Sequence, residues 1–291
     1  MNTTELLKKV RRIEIKTKGL SKHLFSGDYH SAFKGRGMSF SDVRAYQYGD
    51  DVRNIDWNVT ARTNEPFVKQ FEEERELTVM LLADVSASVY FGTGEASKSA
   101  WITELCAVLA FSAISNQDKV GLILFTDQIE MYIPPKKGRK HILRIIRELI
   151  NFEAGNNQTD IGLALKYLNN VIKKRSICFL LSDYISKPYG VPLKVSAKRH
   201  DLISILIYDH FEKEMNRKGL MRVFDPELNR NILLDTGDKR LVQQWNSHFE
   251  NHIKSTKELM ARSGADMMIL ETNHPYESEL HRFFKQRASR H

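Results

Sequence analysis

The stretch Asp84-Val85-Ser86-Ala87-Ser88 carries one carboxylate and two hydroxyls at alternate positions. If the backbone there stays extended or curls into a loop, residues at i, i+2 and i+4 can point the same way. Three hard oxygen donors then converge, a chemistry that suits Mg2+ better than a thiolate-seeking metal. The same five residues also describe a Ser-rich turn that caps the next helix. The two readings part on whether distant segments bring further ligands. Thr159 lies in the polar run Gly155-Asn156-Asn157-Gln158-Thr159-Asp160-Ile161-Gly162, which opens a helix. Asp183 directly follows the apolar run 176–182. Each again has a structural alternative, Thr159 as a helix N-cap and Asp183 as the cap of the next turn.

Such residues meet only if regular elements bring them together. The apolar run 77–83 reads as a buried strand and leads into a helix at 97–115. Strands at 119–126 and 129–133 follow, the second ending at Pro134-Pro135. Helices are expected at 139–151, 160–174 and 189–199, with strands at 176–182 and 202–208. A hairpin at 221–235, a long helix at 237–263, a strand at 266–270 and a helix at 276–288 complete the chain. Strands apolar on both faces and alternating with helices require a mostly parallel sheet covered on both sides. The fold class is therefore α/β, doubly wound. Ligands in such sheets bind outside the carboxyl ends of the strands, at the switch point of strand order, and Asp84 and Asp183 both stand at such ends.

Composition limits the functional classes. The chain has 291 residues, 42% hydrophobic and 27% charged, with two cysteines, Cys106 and Cys178, both in apolar contexts. Buried free thiols and a reducing, cytoplasmic setting follow as expectations. No apolar run approaches the roughly 20 residues of a membrane span, and residues 1–12 lack a signal core. The net charge of +8 is uneven: residues 130–200 hold 14 Lys and Arg against 5 Asp and Glu, beginning at Lys136-Lys137-Gly138-Arg139-Lys140. That run could steer an acidic partner. No RNA-binding signature or zinc finger accompanies it, so nucleic acid is not expected.

Taken together, Asp-x-Ser-x-Ser, the Thr segment Thr159-Asp160-Ile161-Gly162-Leu163-Ala164-Leu165 and Asp183 resemble, in this order, the metal-ion-dependent adhesion site of von Willebrand factor A domains. The resemblance covers residues 77–291 and implies a Rossmann-like α/β domain. It also implies Mg2+, with Mn2+ as a substitute, held by the hydroxyls of Ser86, Ser88 and Thr159 and, mainly through water, by Asp84 and Asp183. An open position would take an Asp or Glu from a protein partner. Upstream, Gly35-Arg36-Gly37-Met38-Ser39-Phe40, Val43 to Asp51, Val52 to Asn58 and Ala61-Arg62 are similar to the signature of the family called domain of unknown function 58. Tyr48 stands where that signature has proline. The family resemblance implies a non-enzymatic adaptor or co-chaperone working with a MoxR-type AAA+ ATPase, and residues 1–76 as an irregular N-terminal segment packed on the main domain.

That segment offers a second chemistry. Asp50, Asp51 and Asp56 could hold metals for phosphodiester hydrolysis. Arg44, Arg53 and Arg62 are interleaved with them, and Arg-carboxylate forks are the simpler account, with Trp57 anchoring the segment by burial. His248 and His252, four apart on the long helix, lack the spacing of a metalloprotease motif around Glu250 and read as a solvated face. Gly92-Thr93-Gly94 lacks the Gly-Lys-Ser/Thr ending of a P-loop.

Overall fold

The structure, a computed structural model, describes residues 38–73, 77–93, 97–152, 158–215, 219–225, 230–272 and 274–289. A short helix expected at 3–15, where Leu6, Leu7, Val10 and Ile13 stand at helical spacing, and residues 226–229 of the expected hairpin lie outside them. Strands β1 (Met38–Ala45) and β2 (Phe67–Glu73) pair antiparallel, with a 3-10 turn (Val52–Asn54) and helix α1 (Trp57–Thr63) between them. The main sheet then starts with β3 (Thr78–Asp84) and continues through α2 (Lys98–Ser115), β4 (Lys119–Phe125) and β5 (Ile129–Lys136). Helices α3 (Arg139–Asn151) and α4 (Ile161–Val171) lead to β6 (Ile177–Ser182), α5 (Gly190–Arg199) and β7 (Asp201–Tyr208). A short α6 (His210–Lys213) and the hairpin β8 (Leu220–Asp225) and β9 (Arg230–Asp235) precede α7 (Lys239–Ser263), β10 (Asp266–Glu271) and α8 (Glu277–Ala288).

Six strands form one sheet in the order β10-β7-β6-β3-β4-β5, parallel except for the edge strand β5. From β3 the chain steps outward to β4 and β5, then returns to the other side of β3 as β6. The strand order therefore reverses between β3 and β6, and a crevice opens outside their carboxyl ends.

Alternation within each strand explains why the runs are apolar throughout. Val79, Leu81 and Ala83 pack with residues of α2, α3 and α8 on one face. Met80 and Leu82 point the other way, into a cluster with α4, α5 and α7. Helix α2 is long and apolar enough by composition to cross a membrane, but its apolar residues are buried in the first of these clusters.

Two expectations needed revision. Strand β5 runs on through Pro134 and Pro135 to Lys136, because an edge strand can spare an amide donor. Strand β1 and helix α1 fall between Lys18 and Thr63, where Gly27, Gly35, Gly37 and Gly49 break up the sequence and no clear periodicity marks an element. A register shift between Phe40 and Asp42 breaks the alternation of β1, and α1 is announced only by its cap, Asp56, whose carboxylate accepts from the amides of Asn58 and Val59.

The opposite end of the sheet is closed by Arg287. Its guanidinium donates to Asp201, the first residue of β7, and lies 2.8 Å from Asp266, the first residue of β10. Arg287→Ala is expected to lower the unfolding free energy by about 2 kcal/mol in denaturant titration. This is less than a fully buried pair would lose, because both carboxylates keep part of their surface in water.

Candidate metal centre

Asp84 ends β3 and Asp183 follows β6 by one residue, so the two carboxylates flank the switch point. Both are buried, at 1% and 3% exposure. The Thr159 loop is pinned on both sides of them. The amide of Asp160 donates to the carbonyl of Thr126, just past β4, at 2.9 Å. The amide of Ile161 donates to Ser186 Oγ at 3.0 Å, just past Asp183. The loop is thus tied to the segments that follow β4 and β6, the two neighbours of β3 in the sheet. Gly162 lets this loop turn closely, since a Cβ there would meet Asp160 Oδ1 at 3.2 Å.

The three hydroxyls do no capping. Ser86 precedes a 3-10 turn (Ala87–Tyr90) without capping it, and its hydroxyl lies 3.2 Å from that of half-buried Ser88. Helix α2 is capped instead by Ser97, and α4 by Asp160, whose carboxylate accepts from the amide of Leu163 at 2.8 Å. Thr159 is thereby released from the capping role, and its Oγ1, in a residue 5% exposed, has no hydrogen-bond partner among the described residues. A buried hydroxyl left unpaired costs roughly 1–3 kcal/mol unless something satisfies it. The structural alternatives for Ser86 and Thr159 fail on these observations.

A residue that the sequence did not single out organises the charges. Lys98, at the first position of α2, is 1% exposed. Its ammonium donates to Asp183 Oδ2 at 2.9 Å and to Glu212 Oε1 at 2.6 Å. Among the described residues Asp84 has no ion-pair partner, and it is held by Ser182 Oγ at 2.6 Å and the amide of Ser86 at 2.9 Å. Burial, reinforced by the charge of Asp183, pushes its carboxyl up to about 7. Burial would also raise Asp183, but Lys98 outweighs it and holds that carboxyl below the ordinary value. Burial alone would lower the Lys98 ammonium, and the two carboxylates turn the net direction upward. Between these residues the backbone is strained: Tyr184 adopts a φ of 63°, fixed by its amide on Ser182 Oγ and its hydroxyl on the Leu180 carbonyl.

Among the described residues no cluster of three His, Cys, Asp or Glu side chains could hold a metal. The donors gathered here are two carboxylates and three hydroxyls, an all-oxygen set that fits a hard divalent cation and not a thiolate-bound one.

Other expectations came out differently. Trp57 is 67% exposed and anchors nothing by burial, because the single short helix it opens has no buried face. Asp50 is forked by Arg44 at 2.8 and 2.7 Å, Asp51 caps the 3-10 turn and contacts Arg53, and Asp56 caps α1. His252 does not lie on a solvated face: its Nε2 is 3.0 Å from the carbonyl of Asp183, so it braces the site from α7. Thr93 pins its loop to Asp209 through amide and hydroxyl. The basic run ends β5 with Lys136 opposite Val120, at the start of β4. It therefore lies at the amino edge, a strand length of roughly 20 Å from Asp84, and does not share a face with the site. Cys106 and Cys178 are buried free thiols, as expected.

The architecture is that of a von Willebrand factor A-like α/β domain. The chain belongs to the family described as protein of unknown function DUF58, whose model matches residues 42–255. It is 27% identical over 284 residues to the uncharacterized protein Rv1480 of Mycobacterium tuberculosis, covering 96% of this chain and 88% of that one, and equally to Mb1516 of Mycobacterium bovis. Among solved structures, an aerotolerance-related membrane protein from Bacteroides fragilis with multiple mutations to serines superposes with a TM-score of 0.51 at 13% identity. That match covers 74% of this chain and 100% of that one, and the likeness concerns the fold alone.

The charge arrangement makes a pH prediction. An acid whose folded pKa is raised favours the folded state at low pH and loses that contribution as pH rises through the folded value. In chelator, the stability of the wild type is expected to fall relative to Asp84→Asn between about pH 4 and pH 7. Parallel pH profiles of urea unfolding for the two proteins would contradict it.

Proposed function

We propose that this chain is a non-enzymatic, Mg2+-dependent protein-interaction module. The observation that carries the reading is the hydroxyl of Thr159: buried, without a hydrogen-bond partner among the described residues, and set on a loop tied to Thr126, just past β4, and to Ser186, just past Asp183. Ser86, Ser88 and Thr159 would offer their hydroxyls to the cation, and Asp84 and Asp183 would act mainly through bound water. A divalent ion bound by neutral hydroxyls stays electrophilic, so the chemistry it supplies is a directional bond to a carboxylate oxygen of another protein. The protein's own residues do the rest. Ser182 and the Ser86 amide orient Asp84, Lys98 and the amide of Ile185 orient Asp183, and His252 fixes the Asp183 backbone. Exposed Tyr90 and Ile185, close in sequence to Ser88 and Asp183, supply apolar surface for the docking partner.

The family resemblance supports a MoxR-type AAA+ ATPase as partner, with this chain as a cytoplasmic adaptor or co-chaperone presenting or receiving a client. The carboxylates that could have served a phosphodiesterase, Asp50, Asp51 and Asp56, are engaged in forks and caps, so the hydrolytic alternative gains no support from them.

Calorimetry with Mg2+ and Mn2+ is expected to show one site in the wild type and at least about a tenfold loss of affinity in Ser86→Ala and Thr159→Ala, since each removes a direct ligand. Equal binding by all three proteins would contradict the site. Recovery of the ATPase in a pull-down should fall on chelation and in Ser88→Ala, and recovery unchanged in every condition would contradict a metal-bridged contact.

A further inference from the structure

A buried lysine is an unusual neighbour for a cation site. Lys98 Nζ lies 2.9 Å from one of the two carboxylates that would serve the metal, and its charge cannot swing away, because the side chain is enclosed at 1% exposure. Its second partner, Glu212, sits 2.6 Å on the other side. Glu212 is itself fixed. Its Oε2 accepts from the amide of Asp209 at 2.7 Å, completing a capping box at the start of α6, and Asp209 is held by Thr93 and Thr272. The indole of Trp245 on α7 donates to the carbonyls of Phe211 and Glu212. A rigid frame from three parts of the chain thus holds one positive and one negative charge in series behind Asp183. Structural economy alone would have placed a neutral side chain there, since a buried ion pair gains little over an apolar one.

We infer that Lys98 and Glu212 are positioning residues that set the divalent-cation affinity of the centre, Lys98 lowering it and Glu212 partly restoring it. Asp84, Asp183, Lys98 and Glu212 together carry two net negative charges, but Glu212 is paired with Lys98 and not with the donors, so a divalent ion bound by Asp84 and Asp183 keeps a local excess of positive charge. That excess is what a partner's carboxylate neutralises, and cation and acidic ligand therefore bind cooperatively. The inference rests on the metal reading above and deepens it by assigning the coupling to named residues outside the donor set.

The test is Mn2+ binding at pH 8, followed by electron paramagnetic resonance and calorimetry, with and without excess acetate as the carboxylate probe. Four proteins, each with all 291 residues, are compared: wild type, Glu212→Gln, the double variant Lys98→Met/Glu212→Gln, and Ser86→Ala. Removing Glu212 leaves the lysine charge wholly on Asp183, so Glu212→Gln should bind Mn2+ more weakly than wild type. Adding Lys98→Met in that background removes the cation without stranding Glu212, and should tighten Mn2+ by at least about tenfold, the scale on which a charge within 4–6 Å shifts an ionic equilibrium. Acetate should tighten Mn2+ in the wild type and do so less in the double variant. A purely structural pair would move both variants toward weaker binding, and that result, with near-ultraviolet circular dichroism showing intact packing, overturns the inference. Unaltered Mn2+ affinity in both variants overturns it too while leaving the metal centre standing. Failure of the wild type and the double variant to bind Mn2+ any better than Ser86→Ala overturns the metal reading itself.

Discussion

Two carboxylates share the space where β3 and β6 end, and neither faces water. Parallel strands that emerge at the same edge leave their next residues close together, and burial of two like charges at that distance is sustained only with compensation. The chain answers asymmetrically. Asp183 receives the ammonium of Lys98, whereas Asp84 receives only hydrogen bonds from Ser182 and the Ser86 amide. Much of the surrounding structure serves this asymmetry: α2 begins where it can deliver Lys98, α6 begins where Glu212 can meet it, and α7 reaches back through His252 and Trp245.

Seen this way, the hydroxyls and the charges form one arrangement. Asp160 and Ser97 do the capping that Thr159 and Ser86 could have done, which leaves the latter two available for a ligand. On the proposed reading, a site built from neutral hydroxyls, with one carboxylate already countered by lysine, would bind a cation weakly and exchangeably until an acidic group from outside completed it. That is the behaviour the proposed docking role requires.

The α/β order was legible in the sequence, and so was the place of Asp84 and Asp183 at strand ends, because both depend on local pattern. Apolar runs such as 77–83 and 176–182 mark strands buried on two faces, and a polar residue directly after such a run must sit at the carboxyl edge. Lys98 was not legible. A lysine at the start of a helix ordinarily points to solvent, and its burial depends on Asp183 and Glu212, which lie 85 and 114 residues away in the chain. His252 was hidden for the same reason: its partner is the backbone of Asp183, on another element. Strand β1 escaped because a register shift interrupts its alternation, and Trp57 misled because a large apolar side chain normally finds a core, which a two-stranded pair with one short helix does not supply. The basic run at 136–140 was visible, but its place at the far edge of the sheet follows only from the reversal of β5 against β4.

The most direct measurement is anomalous diffraction from crystals of the protein equilibrated with Mn2+, collected at the manganese edge. The account predicts a single strong peak enclosed by the hydroxyls of Ser86, Ser88 and Thr159, with Asp84 and Asp183 in its water shell and Lys98 still on Asp183. A peak elsewhere, or none at this position in well-ordered crystals at millimolar Mn2+ with acetate present, would contradict it.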